Sequence, residues 1–176
     1  MNFDGIHDRL RVIQAPGLLG ADLPRAAIPG AKHGESKDAG RGGDAFVLVD
    51  PQKIVPFLHV CRDEDRLRFD VLVDLSATDP KAEDPNLWIN INLLSVERRQ
   101  RLAIKALLPK TDLKMPSSTA IYRAAQWHER ECAEMFGITF VGHPDPRHVL
   151  LPDDWVGYPL RKDYVFPKEY HGISCE

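Results

Sequence analysis

The chain has 176 residues, about one domain's worth, and its 43% hydrophobic and 28% charged residues exclude wholesale disorder. A formal net charge of −3 gives it no global attraction for nucleic acid or anionic lipid. No apolar run approaches the roughly 18 residues needed to cross a bilayer.

The N-terminus, Met1-Asn2-Phe3-Asp4-Gly5, carries early acids and resembles neither a signal nor a transit peptide, so a reducing bacterial cytoplasm is expected. Residues 1–44 are expected to form a short N-terminal helix and a mobile loop. Residues 16–44 hold seven Gly and three Pro among charges, too little apolar surface to offset the entropy of ordering. A core domain is expected over residues 45–142. Ala45–Val49 reads as a short strand. Asp50 then offers an N-cap and Pro51 a first helical residue for a helix to about Cys61, with a kink expected where Pro56 opposes the carbonyl of Gln52.

Three period-2 patterns follow. Phe69, Val71, Val73 and Leu75 alternate with Asp70, Leu72 and Asp74. Leu87, Ile89, Ile91 and Leu93 alternate with Trp88, Asn90 and Asn92. Leu102, Ile104, Ala106 and Leu108 alternate with Arg101, Ala103, Lys105 and Leu107. Their short connections fit an antiparallel meander covered by helices on one face. After Pro109 and Pro116, Ser117 or Ser118 is placed to cap a helix over about Thr119–Phe136. At 100° per residue its apolar face holds Ile121, Ala124, Ala125, His128, Cys132, Met135 and Phe136. Arg123, Gln126, Arg130 and Glu134 lie opposite, with Glu131 at the border. A half-buried Glu131 would need a partner, and an Arg is expected to supply it. Gly137 ends the helix. The fold class is therefore α+β: a small antiparallel sheet with helices on one face, followed by an extended C-terminal docking segment.

Residues 143–176 contain five prolines and five of the chain's fourteen aromatics. Proline at that density forbids long helices and central strands, while a disordered tail is poor in aromatics. Extended chain carrying Trp, Tyr and Arg has the composition of a protein interface, with Trp155, Arg161, Asp163 and Tyr164 as the expected anchors. The alternative is an irregular strap folded back over its own sheet.

Catalytic chemistry is thinly signalled. His128-Glu129-Arg130-Glu131-Cys132 resembles the start of an HExxH zinc helix but has Cys where the second His belongs, and His128 reads as a core histidine. His143, Asp145 and His148 could converge on a metal from a Pro-rich loop, which would make a small stand-alone metal-dependent enzyme. Cys61, Cys132 and Cys175 are far apart, without the four close ligands of a cluster or structural zinc site. No nucleotide-binding glycine motif occurs. The basic stretch Glu97–Lys114 reads as a solvated face or one that meets an acidic partner.

Glu129-Arg130-Glu131-Cys132-Ala133-Glu134-Met135-Phe136-Gly137-Ile138 resembles the ERE-x-x-[DE]-M-F-G-I signature of the C subunits of respiratory NADH–quinone oxidoreductase, the 30-kDa subunit family of complex I. Gly142-His143-Pro144-Asp145, Leu151-Pro152-Asp153-Asp154-Trp155 and Pro159-Leu160-Arg161-Lys162-Asp163-Tyr164 resemble its later blocks, and the likeness covers about residues 45–173. Tyr122-Arg123-Ala124-Ala125 and Asp145-Pro146-Arg147-His148 depart from the family's usual Trp-Pro-Ala-Ala and Asp-Leu-Arg-Arg. The resemblance implies a non-redox structural subunit with no catalytic, cofactor-binding or metal residue of its own. FMN, iron–sulfur clusters and quinone would then reside in partner subunits. The complex would pass electrons from NADH to quinone and translocate protons. This chain would sit peripherally on the cytoplasmic side of the bacterial inner membrane, against the large quinone-cavity subunit and neighbouring iron–sulfur subunits. The interface implied comprises His143, Asp153, Asp154, Trp155, Pro159, Leu160, Arg161, Lys162, Asp163 and Tyr164. An equivalent subunit of a membrane hydrogenase, or of another donor–quinone complex, is the alternative.

Overall fold

In the computed structural model, which describes residues 46–175, Asp50 caps a helical start as its short acceptor side chain permits. Its Oδ1 accepts the Gln52 N–H at 2.9 Å, and Pro51 opens a 3₁₀ turn over Pro51–Lys53. Lys53 leaves helical geometry (φ −110°, ψ 11°) and the helix α1 starts afresh at Ile54, running Ile54–Asp63. Pro56 thus falls in the first turn of α1, where its missing N–H has no intrahelical acceptor to forgo. The single helix expected from Pro51 is therefore a 3₁₀ turn followed by a separate α-helix. The N-terminal helix and loop expected within residues 1–44 lie outside the described residues.

Four strands form one sheet: β1 (Val47–Leu48), β2 (Val71–Thr78), β3 (Asn86–Ser95) and β4 (Gln100–Pro109), in the order β1-β4-β3-β2. The meander β2-β3-β4 is antiparallel, as its short connections require, while β1 adds to the free edge of β4 in parallel, making the sheet mixed. The period-2 reading holds for β3 and β4, whose Leu87, Ile89, Ile91, Leu93, Leu102, Ile104, Ala106 and Leu108 are all buried. It fails for β2. A bulge between Leu72 and Asp74 adds one residue and shifts the phase, so Leu72 and Leu75 turn inward while Val71 and Val73 are exposed. Ile54, Phe57, Leu58 and Cys61 of α1 pack against the buried sheet face. Each large apolar side chain buried there contributes about 1.5–3 kcal/mol.

The second helix, α2 (Ala125–Phe136), begins six residues later than its periodicity predicts. Residues 118–124 instead make turns in which the Ser118 carbonyl accepts from Ile121 and Tyr122 N–H at 2.9 and 3.0 Å. Tertiary bonds hold them there: Tyr122 Oη donates to the Phe69 carbonyl at 2.6 Å, and Arg62 donates to that of Ile121 at 2.9 Å. Ala124, expected in the apolar face, therefore precedes the helix and is exposed. Ile121, Ala125, Cys132 and Phe136 join the sheet in one contiguous core. A parallel pair, β5 (Lys114–Pro116) with β6 (Thr139–Val141), flanks α2, and the chain ends in the short hairpin β7 (Glu169–Tyr170) and β8 (Ile173–Ser174).

Candidate functional site: a helix that clasps the C-terminal segment

α2 carries the signature residues, and its charged side chains are not disposed as amphipathic periodicity predicts. Glu129 and Glu134 are 1% and 3% exposed, whereas Glu131, expected to need an Arg partner, is solvent-exposed. A buried carboxylate must be matched by donors, and each of these two is. Glu129 accepts from Ser118 N–H at 2.7 Å, Ser118 Oγ at 2.5 Å and Ser117 Oγ at 2.6 Å. The two serines thus tie the loop after β5 to the middle of α2 rather than capping its first turn, whose N-cap Ala124 offers no side-chain acceptor.

Glu134 faces the other way, into the C-terminal segment. Its Oε2 accepts the N–H groups of Val149 at 3.0 Å and Leu151 at 3.1 Å, and Oε1 accepts that of Leu150 at 3.0 Å. One turn earlier, Arg130 donates Nε to the Arg147 carbonyl at 2.7 Å and Nη2 to the His148 carbonyl at 2.8 Å. Its guanidinium also lies over the Trp127 ring, 5.1 Å from the centroid. Arg130 and Glu134, four residues apart on α2, bind opposite ends of one stretch of main chain.

The helix terminus makes a second attachment. Gly137 adopts φ +80°, and a Cβ there would lie 2.7 Å from the Tyr158 ring, so glycine serves both the left-handed C-cap and the close approach of Tyr158. Leu160 N–H donates to the Met135 carbonyl at 3.2 Å, satisfying one of the helix's terminal acceptors. Asp79, at the end of β2, gives a third attachment: it pairs with Lys110 Nζ at 2.8 Å and accepts the Lys162 N–H at 2.9 Å. Burial alone would raise the Asp79 pKa, but Lys110 and the Lys162 N–H outweigh it and hold the carboxyl below its ordinary value.

Between and beyond these attachments the segment packs largely on itself. Trp155 packs against Tyr170 at a 54° tilt and meets Phe166 edge-on, with centroids 5.3 and 6.4 Å apart, and its buried Nε1–H has no acceptor among the described residues. Asp154 holds the terminal hairpin through Tyr170 Oη and His171 Nε2, both at 2.8 Å. Tyr164 packs under Gly157 and donates to the Val156 carbonyl at 3.3 Å. Arg161 and Asp163 form a bidentate pair at 2.9 and 2.7 Å. Pro159 is half-buried, while Asp153 projects into solvent. Most of the exposed large hydrophobics lie here, led by Val156 and Val165 at 85% and followed by Ile173, Phe166, Leu150 and Leu160.

The three residues of the metal-enzyme alternative do not converge. His143 accepts the Asp145 N–H at Nδ1 and directs Nε2 to the Gln126 carbonyl at 3.1 Å, so both ring nitrogens are occupied. Asp145 is bound bidentately by Arg147 at 2.7 and 2.8 Å, which holds its pKa at about 2. His148 Nδ1 meets the Pro152 carbonyl at 3.1 Å. Among the described residues no group of three His, Cys, Asp or Glu is placed to hold a metal ion. His128 is half-buried at the edge of the core. Burial pushes the Cys132 thiol up to about 12 and raises that of Cys61 as well, which makes both poor nucleophiles. No helix among the described residues is long and apolar enough to cross a membrane.

A family model described as the respiratory-chain NADH dehydrogenase, 30 Kd subunit, matches residues 47–170. The C subunit of the NADH-quinone oxidoreductase of Chloroherpeton thalassium is 40% identical over 144 residues, covering 75% of this chain and 60% of that protein. This chain thus spans less than two thirds of that relative's length. The same oxidoreductase's C subunit from a Roseiflexus species is 38% identical over 139 residues, covering 79% of this chain and 78% of its own. Among solved structures, the trypsin-resistant fragment of Nqo5 superposes with a TM-score of 0.50 at 23% identity, over 60% of this chain and 85% of that one. A chain of the membrane-bound sulfane sulfur reductase, an archaeal respiratory membrane complex, superposes with a TM-score of 0.60 at 20% identity, over 93% of this chain and 86% of that one. At those identities the two structures share the fold.

Proposed function

The chain belongs to the 30-kDa subunit family of the respiratory-chain NADH dehydrogenases, and from that premise we propose that it is a non-redox structural subunit of the peripheral arm of a proton-translocating NADH–quinone oxidoreductase. Its C-terminal segment docks on the large quinone-cavity subunit, near the iron–sulfur subunits. FMN, clusters and quinone are held by those partners, and the chain reaches the cytoplasmic face of the inner membrane through them. The interface includes His143, Asp153, Asp154, Trp155 and the run Pro159–Tyr164.

The observation that carries this reading is where the apolar surface lies. A segment that buries little of its own apolar surface yet displays Val156, Val165 and Phe166 marks a protein interaction site. Replacing Val156 and Val165 together by Asp should release the chain from the purified complex while leaving the thermal unfolding of the free subunit unchanged. Retention at wild-type stoichiometry would sink the docking assignment.

A second reading keeps the structural role but changes the electron donor, because the fold also occurs in the archaeal sulfane sulfur reductase complex. The roughly 40% identity to subunits of NADH-quinone oxidoreductases favours the NADH reading. Identification of the co-purifying subunits decides between them.

A further inference from the structure

The hydrogen bonds between α2 and residues 147–151 all go to main chain, and their polarity is sorted. Arg130, the donor, takes the carbonyls of 147 and 148; Glu134, the acceptor, takes the N–H groups of 149, 150 and 151. These N–H groups lie outside every strand of the described residues, and a carboxylate 3% exposed is the group that compensates them. Farther along, Met135 accepts the Leu160 N–H and Asp79 accepts the Lys162 N–H, again main-chain donors. Backbone held inward leaves side chains outward: Val149 and Leu150 beside the Arg130 and Glu134 contacts, and Leu160 at the helix end, are exposed.

We propose that α2 is a main-chain clamp: Glu134, with Arg130, is a positioning residue that orders residues 147–151 in the free subunit and aims their apolar side chains at the partner. The partner thus meets a preformed surface, and association does not have to supply the ordering entropy of this stretch. The clamp reads backbone polarity rather than side-chain identity, so the ordering survives substitutions at the exposed positions Val149 and Leu150 that keep the N–H. The aiming part of this inference rests on the docking reading above; the ordering part does not.

Amide hydrogen exchange on the free 176-residue chain tests it. The N–H groups of Val149, Leu150 and Leu151 should be protected in the wild type. Glu134→Gln, which replaces one acceptor oxygen by a donor, should accelerate their exchange by about tenfold or more. The β3 amides of Ile89 and Ile91 should keep their protection, which a general loss of stability would not allow. Exchange at the unstructured rate in the wild type would overturn the clamp, and this measurement needs no variant to fold. Unchanged protection in Glu134→Gln would overturn it equally. Leu150→Ala keeps the N–H and should leave the protection intact while weakening binding to the purified large subunit. Full binding by this variant would remove the aiming role and the docking of Leu150, with the ordering clamp still standing on the exchange data.

Discussion

At the residue scale, Glu129 shows how a charge inside the core becomes a structural element. Three donors from Ser117 and Ser118 converge on it, and it is 1% exposed. Glu129→Ala strands the Ser118 N–H and hydroxyl in a dry site, while Ser117 Oγ keeps its bond with Thr119 Oγ1 at 2.8 Å. It should destabilise the free chain by about 3 kcal/mol, read as a lower urea midpoint at unchanged slope. An unchanged midpoint would show that water replaces the carboxylate there. The identity of this residue as part of an ERE motif is plain in the sequence, but its burial is not. Helical periodicity from Thr119 sets Glu134 outward and Glu131 at the border; the structure buries Glu129 and Glu134 and exposes Glu131. The reason is that the loop after β5 covers Glu129 and the C-terminal segment covers Glu134, on flanks that an isolated amphipathic helix would leave in water, and no local pattern records either cover.

At the element scale, β2, the end of β4 and the C-terminal segment meet at Asp79. Its pKa is lower folded than unfolded, so its contribution to stability is fully present above the ordinary carboxylate value. That contribution is lost as pH falls through the folded value, in the range below about pH 4. Between pH 5 and pH 3 the wild type should therefore lose more stability than Asp79→Asn does. Parallel stability–pH curves for the two proteins would show that the Lys110 pair contributes nothing. Strand legibility divides on the same physical ground. β3 and β4 follow strict alternation because neither contains a bulge. β2 does not, because the extra residue at Val73 changes which side chains face inward while leaving the sequence pattern intact. A bulge is a property of pairing with β3, and β2's own residues do not announce it.

At the scale of the whole molecule, two regions differ in what holds them. Sheet and helices share one buried core, whereas the segment beyond His143 is attached by main-chain hydrogen bonds and leaves Val156, Val165, Phe166 and Ile173 exposed. Stability should therefore be uneven. In a Trp88→Phe, Trp127→Phe background, the fluorescence of Trp155 should change at lower urea than the far-UV circular dichroism of the core. Coincident transitions would make the segment an integral part of the core's cooperative unit.

What the sequence determined by itself was the α+β class, the antiparallel meander, the C-cap at Gly137 and the family, because these rest on local periodicity, special backbone positions and ordered motifs. It also marked the C-terminal segment as interface-like by composition, while leaving open whether that segment reaches a partner or folds back. Tertiary structure decided that residues 147–162 are tied to the chain's own α2 and Asp79 through backbone groups while Val156, Val165 and Phe166 remain exposed. Every residue carries a backbone carbonyl and every residue but proline an N–H, so the amino-acid sequence carries almost no mark of where such bonds will be made.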